Sequence, residues 1–105
     1  MNDNFKSVYR ILSSLESQMD HKEVDTSKFD YEQLGISKER WLKYIEMMED
    51  VGYIKNCKIY ENVYGDTEYE ISNIKITLKG LEYLQENTIM QRIYRTTKGI
   101  KDIVK

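Results

Sequence analysis

Apolar residues recur at two periods along the chain, and the switch between them lays out the elements. Phe5, Val8, Leu12, Leu15 and Met19 step by three and four, with Tyr9 and Ile11 widening the stripe and Lys6, Arg10, Ser13 and Glu16 outside it. That spacing predicts an amphipathic first helix. From Asp20 to Lys28 the chain turns polar, with Val24 its only aliphatic residue, which reads as a loop with room for a short extended piece. Phe29, Tyr31 and Leu34 predict a brief second helix over DYEQL, stopped at Gly35, with Ile36 plugging the turn. Ser37 is a good N-cap for a third helix, SKERWLKYIEMMED, because its hydroxyl accepts from free backbone N–H groups one turn on. Trp41, Leu42, Ile45 and Met48 form its inward stripe; Lys38, Glu39, Arg40, Lys43, Glu46 and Asp50 spread over the outer face, with Tyr44 and Met47 on the flanks. Gly52 supplies the left-handed residue that ends this helix and lets Tyr53 and Ile54 pack back on its last turn.

Beyond Gly52 the period falls to two. Cys57 and Ile59 alternate with Asn56, Lys58 and Tyr60, Tyr64-Gly65-Asp66 is the turn, and Tyr69 and Ile71 resume the alternation. Ile74 and Ile76 lie on the opposite parity, so the return strand must bulge or restart near Ser72-Asn73. Thr77 caps a fourth helix whose buried side is Leu78, Leu81 and Leu84 with Tyr83 beside them. Past Asn87-Thr88, residues Met90, Ile93, Thr97, Ile100 and Val104 step by three and four, with Ile89 and Ile103 alongside, and predict a last helix. Without repeat, proline or low-complexity linker, the expectation is one domain over 1–105, a core at 1–87 and a C-terminal helix at 88–105. The predicted class is α+β, mainly α: a winged helix-turn-helix, three helices plus a β-hairpin wing, with an additional C-terminal helix.

Composition narrows the chemistry. With 40% apolar and 32% charged residues in 105, the chain suits one modest core. No apolar run approaches the roughly 20 residues that span a bilayer, and MNDNFKSVYR lacks the basic start and apolar stretch of a secretory signal. A cytoplasmic protein without a membrane partner is expected. Cys57, the single cysteine, has no internal disulfide partner and reads as a small buried strand residue. His21 is the single histidine, with no cysteine or second histidine to complete a metal site. No serine stands in a G-x-S-x-G elbow, and the five scattered glycines assemble neither a P-loop nor a dinucleotide fingerprint. The expectation is therefore no catalytic residue, no metal, no cofactor and no enzymatic activity.

The stretch MEDVGYIKN, followed across the hairpin by ITLKGLEYL, is similar to winged-helix proteins at Gly52, Ile54, Thr77, Gly80 and Leu84. Over nearly its full length, through YRIL, LGISKERW, MMEDVGYIKN, ITLKGLEYLQEN and IYRTTKGIKDIVK, the chain resembles the YjcQ family of small bacterial and prophage proteins. The resemblance implies a winged-helix fold and carries no established ligand or catalytic residue.

Charge separates two functional readings. The formal net charge is −2, against the strong basicity common in dedicated nucleic-acid domains. From Ile89 onward Arg92, Arg95, Lys98, Lys101 and Lys105 stand against Asp102, a net of +4, which leaves −6 for the rest. Recognition helices present their first turns to the major groove, and here those turns carry Lys38, Arg40 and Lys43 as DNA-contact candidates. Glu39 and Glu46 share that surface, as they would on an ordinary solvated helix face. Glu61, Asp66, Glu68 and Glu70 surround the wing tip, where phosphate contact wants cations. Arg92, Arg95, Lys98 and Lys101 form a secondary basic face on the last helix, whose apolar seam either packs on the first helix or pairs two chains as a homodimer. Tyr60 and Tyr64, beside the acidic residues, are protein-contact candidates. A DNA-binding transcriptional regulator is the leading expectation, from the architecture and the Lys38, Arg40, Lys43 group. A winged-helix module that binds a protein partner and not duplex DNA is the alternative.

Overall fold

The computed structural model describes residues 3–87. The elements run α1 (Asp3–Ser17), a 3-10 turn (Thr26–Lys28), α2 (Tyr31–Leu34), α3 (Lys38–Asp50), β1 (Ile54–Lys55), β2 (Lys58–Glu61), β3 (Thr67–Glu70), β4 (Lys75–Ile76) and α4 (Leu78–Glu86). The class is α+β and mainly helical, and three helices followed by antiparallel hairpin strands are compatible with a winged helix. The helix expected over 88–105, with its apolar seam and basic face, lies outside the described residues.

Local chemistry sets the helix ends. Asp30 caps α2 by accepting from Gln33 N at 2.9 Å, and Ser37 caps α3 by accepting from Arg40 N at 3.1 Å. Helix α3 closes with the paired bonds of a Schellman motif, Tyr53 N to Met48 O at 2.8 Å and Gly52 N to Glu49 O at 3.0 Å, and Gly52 takes φ 88°. The segment after Val24 holds the 3-10 turn in place of an extended piece. Asp25 caps it by accepting from Ser27 N, and its carboxyl is held below the ordinary range first by the Ser27 hydroxyl and then by that N–H.

The hairpin breaks on both arms. Ile54 faces Ile76 and Lys55 faces Lys75, whereas Lys58 faces Glu70, Ile59 faces Tyr69, Tyr60 faces Glu68 and Glu61 faces Thr67. Asn56 and Cys57 interrupt the outgoing arm, and the longer segment 71–74 interrupts the return arm. The surplus on the return side is the restart that the change of parity predicts. It lets Ile71 and Ile74 both turn inward, at 6% and 1% exposure. Asn56, in the left-handed region at φ 68°, ties the two breaks together by donating from Nδ2 to Asn73 O at 3.1 Å.

The core joins Ile11, Leu12 and Leu15 of α1, Phe29 of the loop, Trp41, Leu42, Ile45 and Met48 of α3, Ile54, Ile71 and Ile74 of the hairpin, and Leu84 of α4. Several positions correct the periodicity reading. Phe5 and Met19 are more than half exposed, because the buried face of α1 is turned toward Ser7, Ile11, Leu15 and Gln18. Gln18 takes the inward place because its amide brackets the loop: Oε1 accepts from Asp25 N at 2.8 Å and Nε2 donates to Asp25 O at 3.3 Å. Leu78 stands 80% exposed at the start of α4, where Gly80 and Leu84 carry the buried side. Tyr44 is buried and not on a flank, its hydroxyl donating to Asn4 Oδ1. Cys57 is half-buried.

Candidate contact surfaces of helix α3 and the hairpin

Trp41 fixes α3 against the preceding loop and the hairpin. It is fully buried, its Nε1–H donates to Phe29 O at 2.9 Å, and Tyr31 and Tyr69 meet its ring edge-on at centroid distances of 5.8 and 5.2 Å. Tyr69 belongs to β3, so one side chain couples the loop, α3 and the hairpin. Burial first, and then the neighbouring Tyr31, Asp30 and Glu32, raise the Tyr69 phenol above its ordinary pKa.

A second joint links the end of α3 to α4. The Thr77 hydroxyl donates to Gly52 O and accepts from Gly80 N at 3.1 Å, while Thr77 N donates to Tyr53 O at 3.0 Å. A Cβ placed on Gly80 would lie 2.4 Å from Tyr53 O and 2.7 Å from Ile76 Cγ1, so the close approach of α4 to the hairpin base requires glycine there. Of the positions that carry the likeness to winged helices, Gly52, Thr77 and Gly80 are thus parts of one structural joint, and Ile54 and Leu84 are buried in the core.

The three cations of α3 are not brought together. Successive residues turn by roughly 100°, which puts positions 40 and 43 on one flank of a helix and 38 on the other. Lys38 points to the hairpin, with Nζ 5.6 Å from the Tyr69 ring centroid, in a cleft shared with Glu39, Leu42, Asp66, Thr67, Glu68 and Tyr69. Arg40 points to α1, where Nη1 donates to Asn4 Oδ1 at 2.8 Å and to Tyr44 Oη at 3.3 Å. Lys43 is exposed and lines the same side as Arg40. The secondary basic residues Arg92, Arg95, Lys98 and Lys101 lie outside the described residues.

The hairpin tip is organised by Asn62, a residue the sequence reading did not single out although N-x-x-G is a turn signal. Its Oδ1 accepts from Tyr64 N at 2.8 Å and Asp66 N at 3.0 Å, its N–H donates to Asp66 O at 2.8 Å, and its Nδ2 donates to Glu68 Oε2 at 2.9 Å. Gly65, at φ 85°, completes the turn. Held in this frame, Val63 and Tyr64 project into solvent at 91% and 85% exposure, with Tyr60 at 47% on β2. Glu61, Asp66, Glu68 and Glu70 are all exposed around them, and Lys58 lies opposite Glu70.

Candidate chemistry is sparse elsewhere. Among the described residues no group of three His, Cys, Asp or Glu is placed to hold a metal ion, and no buried side-chain nitrogen or oxygen lacks a partner. The Cys57 thiol is pushed up to about 12 by burial and by the Glu49 carboxylate, whose Oε2 accepts from Cys57 N at 3.4 Å. No described helix is long and apolar enough to cross a membrane. No curated protein and no solved structure matches the chain significantly. The family model described as YjcQ protein matches residues 9–103, from the middle of α1 almost to the last residue, and the chain belongs to the YjcQ family.

Proposed function

We propose that this chain is a non-catalytic protein-interaction module whose hairpin tip is the contact surface. Its support is that an aliphatic and an aromatic side chain, Val63 and Tyr64, stand almost wholly in solvent on a turn that Asn62 holds with five hydrogen bonds. A turn ordered in advance loses little conformational freedom on binding, and tyrosine is enriched in the buried centres of interfaces. The carboxylates of Glu61, Asp66, Glu68 and Glu70 around that prong call for a partner with a cationic rim beside an apolar recess.

The DNA-binding regulator ranks second. Its support is the exposure of Lys38, Arg40 and Lys43 on α3. Against it, Lys38 shares its cleft with Glu39, Asp66 and Glu68, where a phosphate backbone following the hairpin would pass. Arg40 is engaged with Asn4 and Tyr44, so reaching a base edge would break those bonds. Titration of random duplex DNA with the full chain across a salt series separates the two. The expected result is no association in the micromolar range even at low salt. Micromolar binding that weakens steeply as salt rises would restore the regulator reading.

A further inference from the structure

Helix α3 has a second face, turned away from the hairpin, and it forms one wall of an open trough. Phe5 and Val8 of α1, Met47 of α3 and Val51 at its C-cap, and Tyr53 and Tyr83 at the α4 joint line a groove of about 670 Å³, with Arg40 and Lys43 also on its lining. Phe5, Met47 and Val51 are each about half exposed, at 55%, 53% and 48%. Such walls do not enclose a small molecule, whose sites bury most of the ligand surface. They match an elongated occupant that covers the trough from above, the way an amphipathic helix lies between two helices. Methionine on its wall adapts its shape to a range of apolar neighbours.

We propose that this groove binds an acidic amphipathic helix of a protein partner, its apolar face on Phe5, Val8, Met47 and Val51 and its carboxylates beside Lys43. Charge selects the occupant. Lys43 stands exposed on the α3 wall, Arg40 lines it while bonded to Asn4 and Tyr44, and no carboxylate is among the described residues of the lining. The chain's own residues from Ile89 onward carry five cations against one carboxylate, the wrong sign for that wall. A second copy docking through the same face would bring a second Lys43 and a second Arg40 into the interface. The groove lies across α3 from the hairpin tip, so this proposal stands or falls independently of the one above.

The test is selection of helical peptides from a random display library on the full chain, with amide chemical shifts mapping where the selected peptides bind. Peptides enriched in Asp and Glu, with shifts confined to the groove residues, are expected. Lys43→Glu should weaken such a peptide roughly tenfold, and reselection on that variant should lose the acidic bias. Val51→Glu should abolish binding, while Tyr64→Ser should leave it unchanged. Positions 43 and 51 are exposed, and an unchanged amide spectrum elsewhere confirms that each variant is folded. Enrichment of neutral or basic helices, shifts centred on the hairpin, or no enrichment over the unselected library would overturn the proposal. So would a dimer in solution that Val51→Glu dissociates, since a second copy would then be the occupant.

Discussion

The joint at the end of α3 and the tip of the hairpin lie on the same ribbon and are built in opposite ways. At the joint, Gly52, Tyr53, Thr77 and Gly80 bond to one another through backbone and hydroxyl groups, and a single added methyl has nowhere to go. At the tip, the turn is just as well bonded internally, yet Val63 and Tyr64 touch little and face water. Apolar surface at the joint is repaid by burial; at the tip it is not, and a folded chain gains nothing from it alone. The residues that carry the likeness to winged helices thus mark the scaffold, while the most exposed apolar side chains lie outside them.

The largest effect is expected at Trp41, which joins the Phe29 loop, α3 and β3. Trp41→Ala should cost about 3–5 kcal/mol of stability, read from the denaturation midpoint, because it leaves a large cavity and strips Phe29 O of its donor. A variant close to wild type in stability would show that α3 is not anchored through this ring. Next in size is Gly80→Ala, expected to cost about 1–3 kcal/mol through the clash with Tyr53 O and Ile76. A neutral result would mean that α4 stands further from the hairpin base than described.

The Cys57 thiol tests the hairpin between those two regions. Its ordinary value of 9.0 applies to the unfolded chain, and the folded value is about 12. Above pH 9 the unfolded chain sheds a proton that the folded chain keeps, so this thiol lowers stability progressively from pH 9 to 12 and contributes nothing below. Wild type should therefore lose more stability than Cys57→Ala between about pH 8 and about pH 10.5. Equal losses would place the thiol in solvent. The smallest effect is expected at the tip: Tyr64→Ser combined with Val63→Ser should change stability by no more than about 0.5 kcal/mol, the range for exposed positions without packing partners. A larger loss would mean that the tip is packed, and the contact-surface reading would lose its main support.

Features that depend on a few adjacent residues were legible from the chain alone. Ser37 and Thr77 as caps, Gly35 and Gly52 as helix stops, and the parity change near Ser72-Asn73 follow from local bonding rules, and each stands in the structure as read. Positions decided by what packs across the chain were not. Phe5, Met19 and Leu78 fit the apolar period but face solvent, since Gln18 satisfies the Asp25 backbone and Gly80 meets the hairpin base. The separation of Lys38 from Arg40 and Lys43 was available from helical geometry, and reading them as a linear run concealed it. The groove between α1 and α3 has no local signature, because it depends on how two distant helices lie together.

The proposed contact between the hairpin tip and a protein is open to direct test. Its most direct test is a photoreactive amino acid in place of Tyr64, compared with one in place of Lys43, in the full chain inside its native cell. A discrete protein adduct from position 64, abolished by Glu61→Lys combined with Glu68→Lys, is expected. No protein adduct at position 64, together with nucleic acid crosslinked from the α3 surface, would contradict it.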